Sequence, residues 1–86
     1  MTTKGAQFSI DGTAVKIVSA SSAFQGLNIH TDGAIYLNDS NAVSTSNGFK
    51  LDVGDQGKYT IAPYTEIWAI SNGLTTKTVY TLVTLI

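Results

Sequence analysis

Three Asx-Gly pairs set between β-branched runs constrain this chain more than any other feature. Asp11-Gly12 separates Phe8-Ser9-Ile10 from Thr13–Val18, Asp32-Gly33 separates Leu27–His30 from Ala34–Leu37, and Asn72-Gly73 separates Ile67–Ile70 from a final run, Thr75–Ile86. Asp or Asn followed by Gly tolerates the positive φ that a type I′ turn needs at both central residues, so the pairs predict tight chain reversals between strands. A fourth reversal is predicted at Gly54-Asp55-Gln56-Gly57, joining Phe49–Val53 to Tyr59–Ala62.

Period-2 alternation supports the same strands. Phe49, Leu51 and Val53 alternate with Lys50 and Asp52, Leu27 and Ile29 with Asn28 and His30, and Tyr59 and Ile61 with Lys58 and Thr60. No window carries an apolar stripe at helical spacing, and abundant Thr and Val disfavour helix. The reading is therefore all-β: a small antiparallel β-sandwich or barrel built from consecutive hairpins, one domain over residues 1–86 with a short amino-terminal arm at 1–6. Strand alternation is the same in a sandwich and a closed barrel, so both remain open at this stage. Ser19–Gly26 and Asn38–Gly48 read as irregular. The second is long for a hairpin loop, which makes it either a functional loop or a plain crossover between sheets.

The final run breaks the one-sided pattern. Val79, Val83 and Leu85 point one way and Tyr80, Leu82 and Ile86 the other, so both faces are apolar. Such a strand is either buried on both sides or pressed against another subunit, and the subunit contact is favoured. Trp68 and Tyr36 fall out of phase with Ile67 and Ile35. They suit an interface anchor or a sugar-stacking platform, against the plainer reading of a second apolar layer inside a sandwich. The candidate interface residues are accordingly Tyr36, Trp68, Tyr80, Leu82 and Ile86.

Composition enters through what it excludes. With no cysteine there is no disulfide and no thiolate site. A net charge of −1 provides no basic footprint for nucleic acid. No apolar run approaches the roughly 18 residues of a membrane span, and Met1–Gln7 lacks the apolar stretch of a signal peptide, so folding in a cytoplasm is expected. A small core without staples commonly draws stability from oligomerisation.

Catalytic constellations are not evident. The single histidine, His30, has no nucleophile elbow to serve and cannot make a zinc site within one chain. Copies of His30 brought to an axis in an oligomer could bind a metal, but a surface strand residue is the simpler reading. Gly54–Tyr59 superficially resembles a phosphate loop, yet Asp52 stands where the first Gly belongs and Tyr59 where Ser or Thr belongs. Asn38–Asn41 is rich in oxygen but lacks the spacing of an EF-hand. Asp11, Asp32 and Asp55 are assigned to turns, and a fold of this size can hardly build the cleft with two facing carboxylates that a glycosidase needs. No enzyme activity, cofactor or metal is expected.

Taken in order, the segments resemble a group of small tailed-phage virion structural proteins. The resemblance rests on Thr13–Val18, Leu27–His30, Ile35-Tyr36-Leu37, the polar loop closing on Asn47–Leu51, the turn Val53-Gly54-Asp55 and the strand Glu66–Ser71, and covers about Thr13 to Val83. It implies a β-module of the capsid decoration, cement or head-fibre type, residing on the virion. Its partner would be the major capsid protein or another virion protein, held through apolar and edge-strand contacts. A homo-oligomer is expected, with a trimer favoured, and neither nucleic acid nor membrane as partner. A carbohydrate-binding or host-attachment module of a fibre or tail is the alternative, motivated by Trp68, Tyr36, Tyr59 and Tyr64.

Overall fold

In the computed structural model, which describes Thr3–Ile86, the chain forms eight strands and no helix. They are β1 (Thr3–Ile10), β2 (Val15–Val18), β3 (Gln25–Thr31), β4 (Ile35–Asn38), β5 (Phe49–Leu51), β6 (Gln56–Ile61), β7 (Ile67–Ile70) and β8 (Lys77–Leu85). Two four-stranded sheets result, ordered β1-β8-β3-β6 and β2-β7-β4-β5. All ladder pairs are antiparallel. The fold is thus the all-β antiparallel class read from the sequence, and of the two architectures left open it is the sandwich. Thr3–Ala6 belong to β1 rather than to a free arm, while Met1 and Thr2 lie outside the described residues.

The tight turns do reverse the chain where the Asx-Gly and Gly-Asp pairs stand, but each carries it from one sheet to the other. β1, β3, β6 and β8 make the first sheet, so the β1–β2, β3–β4, β5–β6 and β7–β8 turns all arch across the sandwich. β4 and β5 are the consecutive strands that pair with each other. An arch has no ladder twist to match, and the turn geometry reflects this. Positive φ among the described residues occurs at Gly54 (79°), Gly73 (82°) and Tyr64 (62°), so the type I′ geometry expected at Asp11-Gly12, Asp32-Gly33 and Asn72-Gly73, which needs positive φ at both residues of a pair, is absent from all three. Gly54 instead supplies the third residue of a type II turn closed by Asp55 N–H to the Asp52 carbonyl at 3.0 Å.

Register places these four turns together at one end of the molecule. Ile10 pairs with Lys77 near that end, and Thr3 pairs with Thr84 at the other. Cross-bonds tie the turn end together: Ser71 N–H to the Asp11 carbonyl at 2.8 Å, Gly54 N–H to the Thr31 carbonyl at 3.1 Å and Thr78 N–H to Asp32 Oδ1 at 2.7 Å. Gly12 and Gly73 sit backbone to backbone, so close that an added Cβ at Gly12 would lie 3.3 Å from the Gly73 Cα. The assigned turn duty of Asp11 is seen directly, its Oδ1 accepting from Thr13 N–H at 2.8 Å.

The core lies between the sheets and is built from the alternate residues of each strand: Ile10, Ile17, Leu27, Ile29, Ile35, Leu37, Leu51, Ile61, Ala69 and Val79. Of the alternating set Phe49, Leu51, Val53 only Leu51 is buried, because β5 ends there; Phe49 is left at the sheet margin and Val53 on the turn. Asn38–Gly48 is not the sheet-to-sheet crossover that its length allowed. It joins β4 to β5 within one sheet, with Val43 buried beneath it. Asn47 ties it: Oδ1 accepts from Ser44 N–H at 2.8 Å and Nδ2 donates to the Ala42 carbonyl at 3.1 Å.

Candidate functional site

The residues singled out for chemistry are scattered. His30 lies on the outer face of the first sheet, its ring 5.8 Å from that of Tyr80 and tilted by 33°. Among the described residues no cluster of His, Asp and Glu could hold a metal ion. Glu66 is the acid whose environment matters most. Its Oε1 accepts from the Trp68 indole N–H at 3.1 Å and its Oε2 lies 3.4 Å from Lys16 Nζ. The indole hydrogen bond foremost holds the Glu66 carboxyl below the usual glutamate range; desolvation opposes it, and the Lys16 charge adds a lesser lowering.

The candidate interface residues divide between opposite faces. Tyr36 and Trp68 share the outer face of the second sheet: Tyr36 pairs with Ile70 and Lys50, Trp68 with Asn38 and Lys16, and the intervening Ile35, Leu37 and Ala69 point into the core. Lys16 Nζ stands 6.0 Å from the Trp68 ring centre. They are half-buried on an outer surface, not a second layer inside the sandwich. The four aromatics of a sugar platform are not brought together. Tyr59 lies at the inter-sheet margin, edge-on to Phe49 at 6.1 Å, and Tyr64 projects from the β6–β7 loop.

Tyr80, Leu82 and Ile86 stand on the outer face of the first sheet or just beyond it. β8 is central in that sheet, and its inward Val79 and Thr81 alternate with outward Tyr80 and Leu82, which are 41% and 44% exposed. So large an exposure on a central strand has a local cause. Leu82 pairs with Gly5 on one side, and Ile86 lies beside Gly26, where an added Cβ would meet its Cδ1 at 3.6 Å. Neighbours without side chains leave these apolar groups standing proud of the sheet. Of the alternatives posed for the final run, the outer side is therefore uncovered within one chain.

Ile86 has company that alternation did not reveal. The Ser21–Phe24 segment receives Tyr64 N–H at 2.6 Å and Ile86 N–H at 2.9 Å, gathering exposed Phe24, Tyr64 and Ile86 at the end opposite the tight turns. Tyr64 follows Pro63, and its positive φ is unusual for a bulky residue. Pro63 marks a turn, but the positive-φ position after proline ordinarily takes Gly or Asn, so Tyr64 carries no local signal of this conformation.

One groove opens between the sheets along β1. Strands β1 and β8 are eight and nine residues long, whereas β2 has four, so the first sheet runs on past Val18 without a strand opposite. The groove, of about 360 Å³, is lined by Ala6, Phe8, Ile17, Val18, Val83 and Leu85, with Lys4 as its one charged side chain. Thr81 also lines it, and its Oγ1 is the buried side-chain polar atom that has no hydrogen-bond partner among the described residues. Lys4 faces the sheet interior on an edge strand, a placement that disfavours edge-to-edge pairing.

No protein-family model matches the chain, and no curated protein sequence does. The fold does have a solved counterpart. A chain from Bacillus endospore appendages, described as a family of disulfide-linked pili, superposes with a TM-score of 0.60. The match covers 99% of this chain and 86% of that chain at 11% identity. At that identity the likeness is one of fold alone.

Proposed function

We propose that this chain is a non-enzymatic structural subunit that works by self-association and by binding a larger protein shell, with capsid decoration or cementing as its role on a virion. The observation that carries the reading is the exposed apolar ridge Tyr80, Leu82 and Ile86, in which Leu82 stands beside Gly5 and Ile86 beside Gly26. An apolar ridge on a sheet that already has a full core gains by being covered, at about 25 cal/mol for each Å² removed from water. The virion setting rests on the resemblance over Thr13–Val83, and the major capsid protein is the partner it implies.

A second reading has its own support. The fold counterpart comes from a pilus, a polymer of structural subunits, so a filament subunit is the alternative setting for the same associating surfaces. That polymer is described as disulfide-linked, and this chain has no cysteine, so association here would be non-covalent. A glycan-binding role draws only on Tyr36 and Trp68, the two aromatics that share a face.

Light scattering on the purified protein, followed by co-sedimentation with assembled shells, tests the proposal. A defined oligomer that pellets with shells and is released by Leu82→Asp is the expected result. A monomer that stays in the supernatant at all concentrations would overturn it.

A further inference from the structure

We infer that copies of this chain associate head to tail, the β7–β8 turn of one copy seating Leu74 in the inter-sheet groove beside β1 of the next. The inference rests on the self-association proposed above and specifies the surface that performs it.

Leu74 is the knob. It is 83% exposed at the tip of the turn, where its own N–H is bonded to Asn72 Oδ1 at 3.1 Å and its side chain has no role in closing the turn. A leucine held rigidly in water is an unusual use of a large apolar side chain at a turn of otherwise polar and glycine residues. The turn is braced from below by Gly12 against Gly73 and by Ser71 N–H on the Asp11 carbonyl, so the knob is presented on a fixed base.

The groove is the hole, and its largely apolar lining suits an apolar occupant. Ala6 is small where Phe8 is large, so the floor is open above Thr81, its register partner. Thr81 is 6% exposed and its hydroxyl has no hydrogen-bond partner among the described residues. A segment entering the groove brings an apolar side chain against Ala6, Val83 and Leu85, above a hydroxyl that is itself sealed from solvent.

Charge and polarity choose a second copy as that occupant. The turn end of the molecule carries Asp11, Asp32, Asp52 and Asp55, four of the six acidic residues of the chain. The groove carries only Lys4. Lys77 stands at the same end and Lys50 pairs with Asp52 at 3.3 Å, so the end with the knob keeps an excess of two acidic charges, which complements the lysine of the groove. The two features lie at opposite ends of β1, in a molecule 37 Å long, so one copy cannot fill its own groove. Unlike surfaces that meet by one repeated operation give an open filament or a closed ring, and either is consistent with a structural subunit.

The absence of native cysteine makes the contact directly testable in the full chain. Leu74→Cys mixed with Ala6→Cys should form a covalent dimer under mild oxidation, in about tenfold excess over Leu74→Cys mixed with Gln7→Cys. A disulfide requires Cα atoms within about 7 Å, and Gln7 faces the other side of the sheet. Leu74→Asp should weaken association by about tenfold or more in sedimentation while leaving the melting temperature unchanged. Equal cross-linking of the two mixtures, or wild-type association by Leu74→Asp, would overturn the inference. If the wild-type protein still forms an oligomer in that case, the structural-subunit reading survives without it. If the wild-type protein is a monomer and no cross-link forms, both fall together.

Discussion

Two threonines of the first sheet are buried alike and differ in what their hydroxyls meet. Thr31 is fully buried; its Oγ1 donates to the Gly33 carbonyl at 2.6 Å and accepts from Gly33 N–H at 3.3 Å. Thr81 is 6% exposed, and its Oγ1 has no partner among the described residues. Valine replaces hydroxyl by methyl at nearly constant shape, and both sites are in strands, so strand propensity cancels between them. An unsatisfied buried polar group costs about 1–3 kcal/mol, so Thr81→Val should stabilise the monomeric fold by about 1 kcal/mol. Thr31→Val removes two bonds and orphans the Gly33 groups, which should cost about 1–3 kcal/mol. The two variants should differ by roughly 2–4 kcal/mol. For a domain of this size, roughly 4–8 °C of melting temperature per kcal/mol separates their thermal transitions by at least about 8 °C. The assay is thermal and urea unfolding of both variants beside the wild type. Shifts of the same sign and size would refute the reasoning, because Thr81 would then have a partner as good as that of Thr31.

Further predictions follow from single positions. Tyr64→Gly relieves a left-handed φ at a 76% exposed site and should raise stability by roughly 0.5–1 kcal/mol in urea unfolding; a loss would mean that the ring packs favourably enough to offset the strain. Gly48→Ala should cost about 1–3 kcal/mol, because its Cβ would lie 2.6 Å from the Tyr36 Cβ and 2.9 Å from the Ser44 carbonyl oxygen; an unchanged urea midpoint would show that the loop yields freely. Glu66 titrates below the ordinary glutamate value when folded, so its contribution to stability is complete above the unfolded pKa and disappears as pH falls through the lowered folded pKa. Trp68 is the single tryptophan, and its emission should follow that acid transition in the wild type and lose it in Glu66→Gln; an identical pH profile in both would break the assigned pairing.

The strands were legible because each depends on residues close in sequence. Leu27–His30 and Tyr59–Ile61 alternate in sequence and alternate in burial in the same phase. Ladder partners were not legible, because Asp11-Gly12 and Asp32-Gly33 mark where the chain reverses without saying whether it returns beside itself or across the core. Type I′ geometry was inferred from a dipeptide that serves an arch equally well. The alternation Phe49-Leu51-Val53 overstated the core for a related reason: a period-2 pattern has no marker for a strand that stops after Leu51. The proud stance of Leu82 and Ile86 depends on Gly5 and Gly26, distant in sequence from both, so apolar faces could be assigned on β8 but their cover could not. The groove arises from unequal strand lengths, and the orphaned Thr81 hydroxyl from the small Ala6 opposite it; neither has a local signature.

The placement of β8 also governs when the molecule can fold. β8 is the last strand in chain order, yet it lies between β1 and β3 and joins them. Until it is made, β1 has no ladder partner at all, and β3 has only β6. The second sheet can assemble from β2, β4, β5 and β7 while β8 is still being synthesised. The growing chain therefore carries β1 as an unpaired strand until β8 has been made, a period in which it is open to pairing with other nascent chains. Closing the sheet joins residues at opposite ends of the sequence, a step that belongs to the slow end of small-domain folding. An inward-facing Lys4 on that waiting strand protects it during this interval, as well as guarding a finished edge.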